Sequence, residues 1–197
     1  MITTEQIKEL RNSTGISVMQ CKKALEEAGG DMEKATMLLK KKAGAAASKK
    51  SERSLGAGVT QAYIHSNHTV GVLVELGCET DFVAKNKDFT PLALDIAMHI
   101  AAMSPEYISG DDITKEDRKK VTEMFQKEVD KADKPKEIKE KMITGKVDGY
   151  FAERVLLDQK FIKDPDVTIK DLLNDATHKF GERVEVVRFK RFEVGKE

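Results

Sequence analysis

A chain of 197 residues can bury roughly 70% of its unfolded surface, as one large domain or two small ones. Its 34 basic and 34 acidic side chains cancel and 40% of its residues are hydrophobic, which excludes disorder by charge excess and a strongly charged polyanion binder. No apolar run reaches the roughly 18 residues that span a bilayer, and MITTEQIKELRNSTG lacks the apolar stretch of a secretory signal, so a cytoplasmic protein without membrane contact is expected.

The first 43 residues predict three short helices. Thr3 and Gln6 can form a capping box, Ile7 and Leu10 supply a narrow apolar stripe, and Gly15 stands where that helix should stop. Ser17 and Gln20 repeat the start signal for a helix with Val18, Cys21, Ala24, Leu25 and Ala28 at apolar positions, closed by Gly29 and Gly30. Asp31 is the N-cap expected for the third, where Ala35, Leu38, Leu39 and Lys42 recur at helical spacing and Lys42 marks its end. Residues 44–54 then mix alanines with basic residues and carry no apolar stripe, which reads as a basic linker, helical in part or not at all. Residues 1–54 hold 11 Lys plus Arg against 7 Asp plus Glu, and the remainder 23 against 27, so the two parts carry opposite net charge.

Beyond Gly58 the period changes to two. GVTQAYIHS and the run of Val70, Val72, Val74 and Leu76 flank Ser66-Asn67 as a β-hairpin. From Phe89 the helical period returns, with Phe89, Leu92, Ala93, Ile96, Ala97 and Ile100 predicting a well-buried helix. A more solvated helix is expected over 114–129, with Val121, Met124 and Phe125 on one side. Pro135 opens another that runs through Ile138, Met142, Ile143 and Phe151 to Val155-Leu156-Leu157, weakened at Gly145 and Gly149. Thr168 with Asp171 starts a last helix that Gly181 ends, and RVEVVRFKRFEV reads as a strand whose phase slips between Val186 and Val187, the mark of a bulge. The resulting fold class is α+β: a three-helix domain over 1–43, a linker over 44–54, and a core over 55–197 in which helices pack a small antiparallel sheet.

Chemistry is sparse along this chain. Gly145-Lys146 lacks the upstream glycine of a phosphate loop, and Gly56 and Gly58 have no third glycine at 61. Cys21 and Cys78 stand far apart without metal-ligand spacing, and His65 and His68 read as a solvent-facing turn pair. Cys78 with His99 could be drawn as a thiol and base, but His99 falls beside the apolar stripe of a buried helix, where a hydrogen-bonded core histidine is expected. Lys40, Lys41, Lys42, Lys49, Lys50 and Arg53 could meet phosphates or could simply be solvated. No nucleophile, base or metal set assembles, so neither an enzyme nor a cofactor is expected.

In CETDFVAKN, Thr80 can cap a new helical turn with Asp81, Phe82 and Val83 in its first positions, where Asp81 meets the positive end of the macrodipole. First-turn side chains lean back toward the helix start, which would aim Phe82 outward. Pattern alone nonetheless favours Phe82 packing into the core.

At this segment the sequence resembles the elongation factor Ts family. LRNSTGISVMQCKKALEEAGGD is similar to that family's amino-terminal signature, CETDFVAKN to its core signature, and KPKEIKEKMITGK and RFEVG to later blocks. The resemblance implies a ubiquitin-associated-like (UBA-like) three-helix domain before the α+β core, in a short form with one core repeat. It implies guanine-nucleotide exchange on elongation factor Tu, with release of GDP and magnesium, and a possible homodimer. Asp81 and Phe82 would meet the GTPase domain near its magnesium and phosphates, Thr80 and Val83 would hold their turn, and Arg11, Val18 and Met19 would dock another helix of that domain. Two rival readings are a nucleic-acid-binding protein that uses the basic amino-terminal unit and linker, and a UBA-like adaptor; the resemblance favours neither, and no nucleic-acid partner is expected.

Overall fold

The computed structural model describes residues 2–131 and 135–196. Helices α1 (Thr4–Thr14), α2 (Val18–Glu27) and α3 (Met32–Lys50) close on a core of Leu10, Ile16, Cys21, Ala24, Leu25, Ala35 and Leu39. Their starts are those the local chemistry requires. Thr3 and Gln6 form the reciprocal capping box, Ser17 accepts from the Gln20 N–H, and Asp31 accepts from the Lys34 N–H. Gly15 ends α1 in the left-handed region at φ 69°, a conformation in which a Cβ would be strained.

Helix α3 does not fray at Lys42. It continues to Lys50, through most of the segment expected as linker. Alanine has the highest helix propensity, and Ala43, one turn beyond Leu39, is buried, so the apolar stripe persists in small side chains.

The second part begins with β1 (Ala57–Ile64) and β2 (Val70–Cys78), the predicted hairpin. Strand β5 (Val184–Glu193) pairs antiparallel with β2, giving a three-stranded sheet in the order β1-β2-β5. The predicted bulge is present: Leu76 opposes Val186 and Glu75 opposes Arg188, which leaves Val187 without a partner in the register. One sheet face, carrying Val72, Val74 and Leu76, is covered by α5 (Phe89–Met103) and α8 (Ile169–Phe180), whose Phe89, Ile96, Ile100, Ile169 and Leu173 complete the main core. Before α5 lies a single helical turn, α4 (Asp81–Ala84).

Helices α6 (Lys115–Val129) and α7 (Lys136–Ala152) form a hairpin with its own cluster of Val129, Ile143, Val147 and Phe151. The KPKEIKEKMITGK block lies on α7 except Lys134, which is outside the described residues, and Pro135 at the N-cap. Helix α7 stops at Ala152 rather than running on to Leu157. The N–H groups of Leu156 and Leu157 donate to the carbonyls of Tyr107 and Ile108 at 2.9 and 3.0 Å, so the chain leaves the helix to bridge to that segment. A short pairing of β3 (Lys160–Phe161) with β4 (Asp164–Thr168) follows. It was illegible in the sequence because a two-residue strand and the run Asp164-Pro165-Asp166 carry no alternation. The expectation of a hydrogen-bonded core histidine holds: His99 is fully buried and bonded to Gln159 at 3.0 Å. Cys21 and Cys78 are buried free thiols.

Candidate functional site: the turn after the central strand

Strand β2 delivers Cys78, Glu79 and Thr80 to the start of α4. Val83 and Ala84 are buried in the main core, whereas Phe82 is 83% exposed. This overturns the expectation from pattern that Phe82 packs inside. A one-turn helix held by its third and fourth residues must send its second residue outward, in the sense that the first-turn lean allows. Asp81 lies beside it, exposed, with Lys85 Nζ at 3.2 Å one turn on.

Thr80 occupies the N-cap position, but its side chain makes no cap bond. Its Oγ1 donates instead to Glu182 Oε1 at 2.6 Å, and its N–H donates to Glu182 Oε2 at 2.9 Å. The preceding residue makes a matching contact: Glu79 Oε1 accepts the Arg183 N–H at 2.6 Å and faces Arg53 Nη1 at 3.3 Å. The Arg183 N–H, followed by the Arg53 guanidinium, holds the Glu79 carboxyl below the usual carboxylate range. Burial, and then the Glu182 charge, push the Cys78 thiol up. Protonated, it donates to the Thr80 carbonyl at 3.3 Å.

Arg11, Val18 and Met19 are exposed on the amino-terminal unit, Met19 to 65%. Val18 was expected on the inner stripe of α2, but as its first residue it faces solvent at 48% exposure. The two sets of residues are connected through the last turn of α8. Gln20, next to Met19, lies 2.9 Å from His178 Nε2. The Lys179 stem lies 3.1 Å from where a Cβ on Gly15 would project, and Lys179 Nζ donates to Asp88 at 2.9 Å, holding the Asp88 carboxyl below its ordinary range. Glu182, just past the Gly181 cap of α8, holds Thr80. Reading the sequence missed His178, Lys179 and Glu182, because nothing local signals a contact across 102 positions.

Of the basic stretch, Lys42 pairs with Glu27 at 2.7 Å, Lys50 donates to the Gly181 carbonyl, and Arg53 faces Glu79. No group of three or more His, Cys, Asp or Glu that could hold a metal occurs among the described residues, nor is any described helix long and apolar enough to cross a membrane.

Fold and site together define an α+β protein with a projecting aromatic turn braced from behind. The family model described as Elongation factor TS matches residues 45–196. A protein named Elongation factor Ts in Carboxydothermus hydrogenoformans is 49% identical over 195 residues, spanning 99% of this chain and 90% of that protein. Proteins of the same name in Acetivibrio thermocellus and Thermosipho melanesiensis are 49% and 45% identical over 99% of this chain, covering 91% and 100% of their own lengths. The chain belongs to the elongation factor Ts family, and so to the translation elongation factors.

Proposed function

We propose that this protein is a cytoplasmic guanine-nucleotide exchange factor that binds elongation factor Tu and uses Phe82 as a wedge to release GDP and magnesium. The observation that carries this reading is the exposure of Phe82 on a turn whose next two residues are buried. A large apolar side chain mounted that way gives its own fold little and a neighbour a great deal.

Exchange needs no reacting group on this chain. A factor that prefers the empty partner to its GDP form must weaken GDP binding by the same ratio, whichever ligand arrives first. Burying a phenylalanine, about 150 to 250 Å² at about 25 cal/mol per Å², supplies at most roughly 4 to 6 kcal/mol. Half of that is a shift of about a hundredfold. Thr80 and Val83 hold the turn, Asp81 accompanies the ring toward the cation and phosphate region, and Arg11, Val18 and Met19 dock on a second helix of the GTPase domain. The division into a UBA-like domain, linker and core belongs to the same proposal, with α3 running into the linker as far as Lys50. The pairing of Lys42, Lys50 and Arg53 within the chain favours it over a nucleic-acid role.

The test is release of labelled GDP from elongation factor Tu. Phe82→Ala should slow factor-stimulated release by about a hundredfold, with circular dichroism and melting temperature unchanged because the ring contributes so little to its own core. Release at the parental rate would reject the wedge.

We propose also that two copies pair through the uncovered face of the sheet. The register places Ile64, Gly71 and Phe192 in one row and Ala62, Leu73 and Lys190 in the next, with Val194 beyond. Ile64, Leu73, Phe192 and Val194 are all exposed there.

A further inference from the structure

The backbone amides of Thr80 and Arg183 each donate to a carboxylate carried by the other's neighbour. Thr80 donates to Glu182, by both N–H and hydroxyl, while the Arg183 N–H donates to Glu79. Arg53 closes the arrangement: its guanidinium faces Glu79, and its carbonyl accepts from Arg183 Nη1 at 2.6 Å. Three segments far apart in the chain are thus clasped together behind Phe82.

We infer that this clasp is a positioning device for Phe82, with Glu182 as the positioning residue. The inference rests on the wedge reading above. A single turn of helix is not stable alone, and α4 has neither length nor a side-chain cap to set its direction. Val83 and Ala84 anchor its far end only. Glu182 takes both donors of the residue that enters the turn, and two charge-assisted bonds to one residue fix an orientation where one would fix a distance. Glu182 is itself rigidly mounted. Gly181 before it sits at φ 75° with its N–H on the Thr177 carbonyl, and the Val184 N–H after it lies 3.1 Å from Thr177 Oγ1, the hydroxyl of a buried residue. Once the rest of the surface has docked, ordering a loose turn would be subtracted from the work the ring can do on the nucleotide site. A turn ordered beforehand avoids that loss.

The chain contains no tryptophan, so Phe82→Trp places a single reporter at the tip. Combining it with Glu182→Gln takes the charge out of both bonds and forces the Thr80 hydroxyl to turn and accept from the new amide instead of donating. The expected result is a larger fast component in the time-resolved fluorescence anisotropy of that lone indole. In the phenylalanine background, Glu182→Gln should lower the maximal GDP release rate by about tenfold. The half-saturating factor concentration and melting temperature should stay the same, and Phe82→Ala with Glu182→Gln should be no slower than Phe82→Ala alone. Glu79→Gln, which takes the charge out of the other arm, should act in the same direction and serves if Glu182→Gln fails to fold. Unchanged anisotropy overturns the clasp whatever Phe82 does. A parental release rate for Glu182→Gln beside a slow Phe82→Ala overturns the positioning role and leaves the wedge standing, as does a loss matched by a fall in melting temperature. Fast release by Phe82→Ala removes the wedge itself, while the anisotropy still reports on the clasp.

Discussion

Protonating His99 would put a second ring N–H among apolar side chains with nothing to receive it. Gln159 Nε2 donates to the Glu153 carbonyl at 2.7 Å, so Gln159 Oε1 accepts from His99 Nε2 and the neutral ring carries its proton there. His99 Nδ1 is buried without a partner, and Phe161 lies close by, with ring centroids 6.1 Å apart. Burial lowers the pKa of His99 below its usual 6.5, with the bond to Gln159 opposing, and burial does the same to His178. The unfolded chain therefore takes up protons that the folded chain refuses. Stability from these groups is complete above about pH 6.5 and falls as pH drops toward the lowered values, at no more than about 1.4 kcal/mol per unit for each. Urea midpoints from pH 7.5 to 5 should decline in the parent, and His99→Gln should flatten the decline while starting from a lower stability. An equal slope in both proteins would assign the loss elsewhere. His99 was readable in the sequence from its place beside an apolar stripe. The outward turn of Phe82 was legible only from its first-turn position and the family resemblance; apolar pattern alone assigned it to the core, and the shortness of its helix is what turns it outward.

Helix starts were the most legible features, since a cap is a contact over three residues: Thr3 with Gln6, Asp31 with Lys34 and Thr168 with Asp171 are all as expected. Helix extent was less legible where tertiary contacts decide it. Ala43 is buried, which carries α3 past Lys42, and the bridge from Tyr107 to Val155 takes the chain out of α7. Helix α7 also retains a correctable weakness. Gly145 and Gly149 are exposed one turn apart within it, and a Cβ added to either would meet nothing within 4 Å. Their backbones are already helical, so alanine lowers the entropy of the unfolded chain at no steric cost. Each of Gly145→Ala and Gly149→Ala should add about 0.5 to 1 kcal/mol, or about 2 to 4 °C per kcal/mol for a chain of this size. Calorimetry on the two single variants and the double checks this. A fall in melting temperature would mean that the α6–α7 hairpin needs those positions bare.

At the scale of the whole molecule, one face of the three-stranded sheet is covered by helices, and among the described residues no helix covers the other. An antiparallel sheet with one solvated face ordinarily turns polar side chains outward, and part of this face does so, with Glu75 paired to Arg188 at 2.6 Å. Toward the hairpin tip the pattern reverses, and Phe192 is 63% and Val194 76% exposed. Nothing in the strand sequences alone assigned these residues to a free face, because alternation says which residues share a side and not which side is covered. A two-fold axis through this end would set Ile64, Leu73 and Phe192 of one copy against the same residues of the other, at the roughly 10 Å spacing of stacked sheets. Leu73 is on the central strand, so Leu73→Lys buries a charge in the pairing and disturbs nothing in the core, which lies on the opposite face. Light scattering should give the parent about twice the 22.0 kDa chain mass and the variant a single chain. The parent's melting temperature should rise with concentration and the variant's should not. A parent that runs as one chain at tens of micromolar would reject the pairing.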